Sequence, residues 1–90
     1  MEKYHLEIYD HDDFKTALLM FSSNSPFLTI SVGDLIDLSG ANYGGSQKYF
    51  RVTGVRHIIF DDSNGNPIHK ICAYVTGVGD AKDFLLTGRP

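Results

Sequence analysis

Residues 49–77 read YFRVTGVRHIIFDDSNGNPIHKICAYVTG, two runs rich in β-branched and aromatic residues on either side of a short polar segment. Such runs favour strands, and Asn64-Gly65 suits the two-residue type I′ turn, so the stretch predicts one long antiparallel β-hairpin. Placing the turn there pairs Ser63 with Asn66, Phe60 with His69, Ile58 with Ile71 and His57 with Cys72. Pro67 then faces Asp62 at a non-hydrogen-bonded site, where its missing amide proton removes no ladder bond. Gly54, inside an otherwise β-branched strand, predicts a bulge at Thr53-Gly54 that lets one strand serve two sides of a curled sheet.

With that bulge, one face of the first arm carries Phe50, Val52, Val55, His57 and Ile59, and the other carries Tyr49, Arg51, Arg56, Ile58 and Phe60. The predicted register adds Cys72 and Tyr74 to the first face, and Ile71, Ala73 and Val75 to the second. Both faces are apolar towards the turn, which is more than a sheet with one solvated face requires. Ile58, Phe60 and Ile71 therefore call for cover by another element or another molecule.

Working outward, Tyr4 to Tyr9 alternates Tyr4, Leu6 and Ile8 with His5, Glu7 and Tyr9, the period of a half-buried strand. The run after Asp10-His11-Asp12-Asp13 reads two ways. Phe14, Ala17, Leu18 and Phe21 have helical spacing behind an aspartate cap, which predicts a helix over 13–21. The alternative is a second strand, Thr16 to Ser22, folded back on the first through a turn at His11 to Phe14. Phe27 to Ser31 and Leu35 to Leu38 read as short strands separated by a Gly33-Asp34 turn. Ser39 to Gln47, with three glycines, reads as an exposed loop carrying Tyr43. Asp80 is placed to cap a short terminal turn.

Ninety residues, 42% hydrophobic and 21% charged, suit a single globular domain spanning 1–90. Eight basic against eleven acidic residues give a net charge of -3, which disfavours a partner held by phosphate charge. No apolar run approaches the roughly 20 residues that span a bilayer, and MEKYHLEIYD lacks the apolar core of a signal peptide. Together with the lone cysteine, Cys72, this places the expected residence in the cytoplasm.

Each candidate for chemistry has a plainer reading. Asp10-His11-Asp12-Asp13 offers metal donors without a distant fourth ligand, so a solvated turn or cap is expected. Asp62-x-Asn64-x-Asn66 has the start of a calcium loop, but Pro67 stands where that loop needs glycine and Ala73 where it needs glutamate. His57 opposite Cys72 has the composition of a thiol dyad, and no third residue orients the imidazole. Lys48, Arg51 and Arg56 beside Tyr43, Tyr49 and Phe60 form a short basic and aromatic strip. No catalytic residue, metal or cofactor is expected, and the chain is not read as an enzyme.

Val32-Gly33-Asp34-Leu35-Ile36-Asp37-Leu38 followed by Tyr49-Phe50-Arg51-Val52-Thr53-Gly54-Val55 resembles a passage of glycine-aspartate, strand, loop and bent strand. SH3-like barrels and PUA-like (ASCH-type) domains share it. The resemblance implies a mainly β fold, a small, strongly bent antiparallel barrel of SH3-like form with at most one or two short helices. Its alternative is an α+β PUA-like barrel with a helix near 13–21. The segment before Gly33 lacks the basic and glutamate-arginine residues of RNA-associated PUA-like members, so nucleic acid is not an expected partner. The leading expectation is a non-catalytic, self-associating protein-interaction module using Tyr43, Tyr49, Arg51, Arg56, Ile58, Phe60 and Ile71. A small phage or mobile-element accessory protein acting on a larger host or virion assembly is one alternative, and a PUA-like nucleic-acid-binding domain is another.

Overall fold

The computed structural model describes residues 2–41 and 43–79. Within them the chain forms five strands and no helix: β1 (Tyr4–Asp10), β2 (Ala17–Ser23), β3 (Leu35–Asp37), β4 (Tyr49–Asp61) and β5 (Pro67–Gly77). They make one curled sheet in the order β2-β1-β5-β4-β3, a half-barrel. The mainly β expectation holds. The sheet is mixed where an antiparallel one was expected, because β1 runs parallel to β5, with Leu6 beside Ile71 and Ile8 beside Ala73.

Of the two readings of 13–21, the strand forms. β2 pairs antiparallel with β1, setting Phe21 opposite Leu6 and Leu19 opposite Ile8, with an extra residue at Leu18. Alternation thus turns Leu19 and Phe21 onto the side that holds Leu6 and Ile8, where both pack against the core. Phe14, which a helix would have buried, is 67% exposed in the connecting turn. Burial of a sheet face has overridden the helical propensity of Ala17 to Met20. Phe27 to Ser31 forms no strand, but Phe27 and Ile30 pack onto the core from that irregular segment.

The hairpin forms with its register one residue from the expected one. Phe60 lies opposite Ile68, Ile59 opposite His69, Ile58 opposite Lys70, His57 opposite Ile71 and Arg56 opposite Cys72. The turn is the cause. Gly65 N–H donates to the Asp62 carbonyl (3.0 Å) and Asp62 N–H to the Asn66 carbonyl (2.8 Å), and Gly65 alone in this turn has positive φ, at 80°. This is a three-residue loop, a type I turn closed by a left-handed glycine. The Asp62 carboxylate secures it by accepting from the Asn64 and Asn66 amides. A type I′ turn would have needed Asn64 at positive φ as well.

The shift moves every β5 side chain to the other face. The bulge at Thr53-Gly54 is present, with Val52 opposite Val75 and Gly54 opposite Tyr74. Phe50, Val52 and Val55 accordingly share their face with Ile71, Ala73 and Val75, not with Cys72 and Tyr74. These residues join Leu6, Ile8 and Leu38 in the concave core. Its centre is dry: Ile8 and Val52 are 1% exposed, Ala73 and Val75 0%. The proposed turn at Asp80 lies outside the described residues.

Replacing Gly65 with alanine forces a side chain into the left-handed region and should lower stability by about 1 kcal/mol. A methyl at Gly54 meets Tyr74 Cδ2 at an ordinary 3.5 Å, so Gly54→Ala should change stability by less than about 0.5 kcal/mol. Urea denaturation of the two variants measures the contrast, and equal losses would contradict this assignment of turn and bulge.

Candidate interaction surface

β3 pairs with β4 only from Tyr49 to Arg51, and the contact extends to Val52, whose carbonyl accepts from Gly33 N–H and whose N–H donates to the Asp34 carbonyl. Beyond Val52, no strand among the described residues covers the outer edge of β4. The free edge runs from Thr53 to Asp61 and carries Ile59 (72% exposed) and Phe60 (44%). The opposite margin of the sheet is β2, whose outer edge also lacks a strand among the described residues.

The seven residues expected to bind fall into four places. Arg56, Ile58 and Phe60 lie on the convex face of the distal hairpin, with Arg56 and Phe60 exposed and Ile58 half-buried. Tyr49 and Arg51 share that face nearer the base; Arg51 Nη1 donates to the Gly33 carbonyl at 3.2 Å, tying it to the β3 approach. Tyr43 is not displayed on an exposed loop. Its half-buried ring stands edge-on to Phe50 at 6.3 Å, and Lys48 Nζ lies 5.0 Å from the ring centroid while donating to the Tyr43 carbonyl at 2.7 Å. Ile71 is a correction: it is 6% exposed, in the core, on the face away from Ile58. The residue that adjoins Phe60 is Ile68. A reading of 63–65 as a three-residue loop, signalled by Asp62 at the first turn position, would have found it.

A groove of about 520 Å³ crosses the convex face at the bulge, lined by His11, Phe14, Thr53, Gly54, Arg56 and Tyr74. Tyr74 forms its wall, with Phe14 edge-on at 5.2 Å and Tyr9 tilted against it at 5.7 Å. The Arg56 guanidinium makes no hydrogen bond or ion pair with another described residue. His11 is occupied by Asp10 (3.5 Å) and Asp12 (3.2 Å), and the donor atoms of these three lie within 4.8 Å of one another. All are on one exposed turn. The groove can hold one side chain, against aromatic rings and beside a cation.

Next to the groove is the main polar network of the convex face. Glu7 accepts from the Tyr9 hydroxyl at 2.6 Å and pairs with Lys70 at 3.3 Å. Desolvation pushes the Glu7 carboxyl up, but the Tyr9 and Lys70 hydrogen bonds and the Lys70 charge outweigh it, holding the carboxyl below the ordinary 4.5. The hydrogen bond to Glu7, then burial, pushes Tyr9 up to about 12. Cys72, buried beside them, is raised by desolvation first and by the Glu7 charge second.

The juxtaposition of His57 and Cys72 is not made. His57 points to the other face, where its Nδ1 lies 2.9 Å from His69 Nε2 and the two rings stack at 5.1 Å. No helix of the described residues is long and apolar enough to cross a membrane. Compared with known proteins, the chain matches no family model, no curated protein and no solved structure.

Two outcomes are expected. The Cys72 thiol should react with a thiol reagent at neutral pH more slowly than free cysteine, and denaturant should restore the rate; equal rates in the folded protein would contradict the burial. Because Glu7 titrates lower when folded, its stabilisation is full above the unfolded carboxyl's range and is lost as pH falls through the folded value. Glu7→Gln should therefore flatten the fall in stability between about pH 5 and pH 3, followed by thermal melts across that range.

Proposed function

We propose that this chain is a non-catalytic, self-associating protein-interaction module that works through its sheet edges. The observation that supports the reading is the open sheet. Both margins, β2 and β4 beyond Val52, lack a strand among the described residues, and exposed apolar side chains flank them: Met20 at 68%, Ile59 at 72% and Phe60 at 44%. A free edge displays a row of backbone donors and acceptors that an added strand satisfies, and neighbouring side chains select which strand it is.

The two edges differ in what they select. On β4, Arg56 and Asp61 are exposed charges at either end of Ile58, Ile59 and Phe60, and the aromatic groove opens beside Arg56. That edge suits a protein segment that lays an apolar stretch along the strand and places one acidic or aromatic side chain in the groove. Most energy would come from Phe60 and Ile59, whose burial is worth about 1.5–3 kcal/mol each when complete. We place the module in the cytoplasm, in keeping with its single unpaired thiol.

Light scattering across a concentration series tests the self-association. The expected mass rises with concentration above the 10.0 kDa of one chain. A mass that stays at one chain up to about 1 mM, the upper end of weak association, would remove self-association from the reading.

A further inference from the structure

Of the two margins, the outer edge of β2 has the more specific chemistry. Its residues Ala17–Ser23 read ALLMFSS, with no charge and no proline. Edges are ordinarily protected by lysine, by inward charges or by proline, and the β4 edge has Arg56 and Asp61 in that role. β2 has only the irregularity at Leu18, near its beginning. Met20, on the convex side, is 68% exposed although its cross-strand neighbour Glu7 is largely covered, with 14% of its side chain accessible. On the concave side, Leu19 and Phe21 pack against the core but remain half-buried, at the margin where the half-barrel stops.

Resting on the reading of the chain as an association module, we propose that a second copy of this chain is the strand that completes this edge. The two β2 strands pair antiparallel about a twofold axis at Met20. This register is self-complementary on both faces. Leu19 meets Phe21 of the second copy, and Phe21 meets Leu19, so the open margins of the two cores join. On the convex side Met20 meets Met20, a flexible thioether pair suited to an adjustable contact. Leu18 and Ala17 meet Ser22 and Ser23, Thr16 meets Asn24, and Lys15 meets Ser25, so no like charges oppose one another. An uncharged, twofold-compatible strand is its own fitting partner, and the contact is isologous and closed, giving a dimer and not a fibre.

The contact is small. Seven residues extend about 24 Å, and the irregularity at Leu18 limits the regular ladder to the middle of the strand. Such an area falls at the low end of specific interfaces, below about 1,200 Å², so the dimer is reversible and depends on concentration. It leaves both β4 edges free, making the dimer bivalent towards a second partner.

Light scattering on the full chain and two variants tests the proposal. Met20→Lys keeps the fold, because position 20 is exposed and faces Glu7, but sets two like charges together on the axis. It should weaken dimerisation by about tenfold or more, whereas Phe60→Lys on the hairpin arm should leave it unchanged. A covalent check is independent of that variant's folding. Residues facing each other across an antiparallel pair have Cα atoms about 4.5–5.5 Å apart, within disulfide range, so Met20→Cys should oxidise to a covalent dimer while Ile59→Cys should not. Association that survives Met20→Lys, is abolished by Phe60→Lys, or yields no Met20→Cys cross-link overturns the β2 dimer and leaves a self-associating module in place. A wild-type chain that stays monomeric removes both.

Discussion

Strand β5 is paired along both sides, antiparallel to β4 and parallel to β1, and the rest of the fold depends on that double ladder. A strand in the middle of a sheet has no free backbone edge, and here its two faces are also largely closed. Ile71, Ala73 and Val75 point into the core, while Cys72 on the other face is only 4% exposed, beside Glu7. The run ICAYV is thus apolar almost without a break, as expected for a strand with a parallel neighbour and covered on both sides. Once β5 is fixed, β1 has to bring Leu6 and Ile8 to the core side, and β2 then has to follow with Phe21 and Leu19.

Much of this was legible. The hairpin, its bulge and the face shared by Phe50, Val52, Val55, His57 and Ile59 follow from β-propensity, from Gly54 and from period-two alternation, all of them local. The parallel pairing of β1 was not legible, because nothing in a seven-residue strand names a neighbour 65 positions away. Contacts of that separation are set by how the whole apolar surface closes. The choice between helix and strand at 13–21 was decided in the same way: Phe21 and Leu19 gain a core as strand residues only after β1 is in place.

The candidate surface shows how a small error in a turn grows. Asn64-Gly65 reads as a two-residue turn, yet Asp62 takes the Asn64 and Asn66 amides on its carboxylate and leaves only Gly65 at positive φ. One residue of difference in the loop exchanges the faces of β5. Ile71 passes from a supposed contact residue to the core, and Ile68 takes its place beside Phe60. The residues on β4 itself, Arg56, Ile58 and Phe60, keep their face because their position depends on the bulge and not on the turn. The apparent surplus of apolar residues on two faces largely disappears, and what remains is confined to the distal arm.

Among the described residues the half-barrel stays open, for a reason found in its core. A closed barrel would bring β2 against β3, but the chain between them folds across the concave side, where Phe27 and Ile30 pack against the cluster. Leu38, Ala41 and Tyr43 add to the cover after β3. Irregular segments thus supply the apolar contacts that a closing strand pair would otherwise make, and they leave β2 and the distal part of β4 as separate margins. β3 is too short, at three residues, to protect β4 along its length. The open edges are then a consequence of how this core is filled. A partner strand would add to a sheet whose central core residues, Ile8, Val52, Ala73 and Val75, are already buried within one chain.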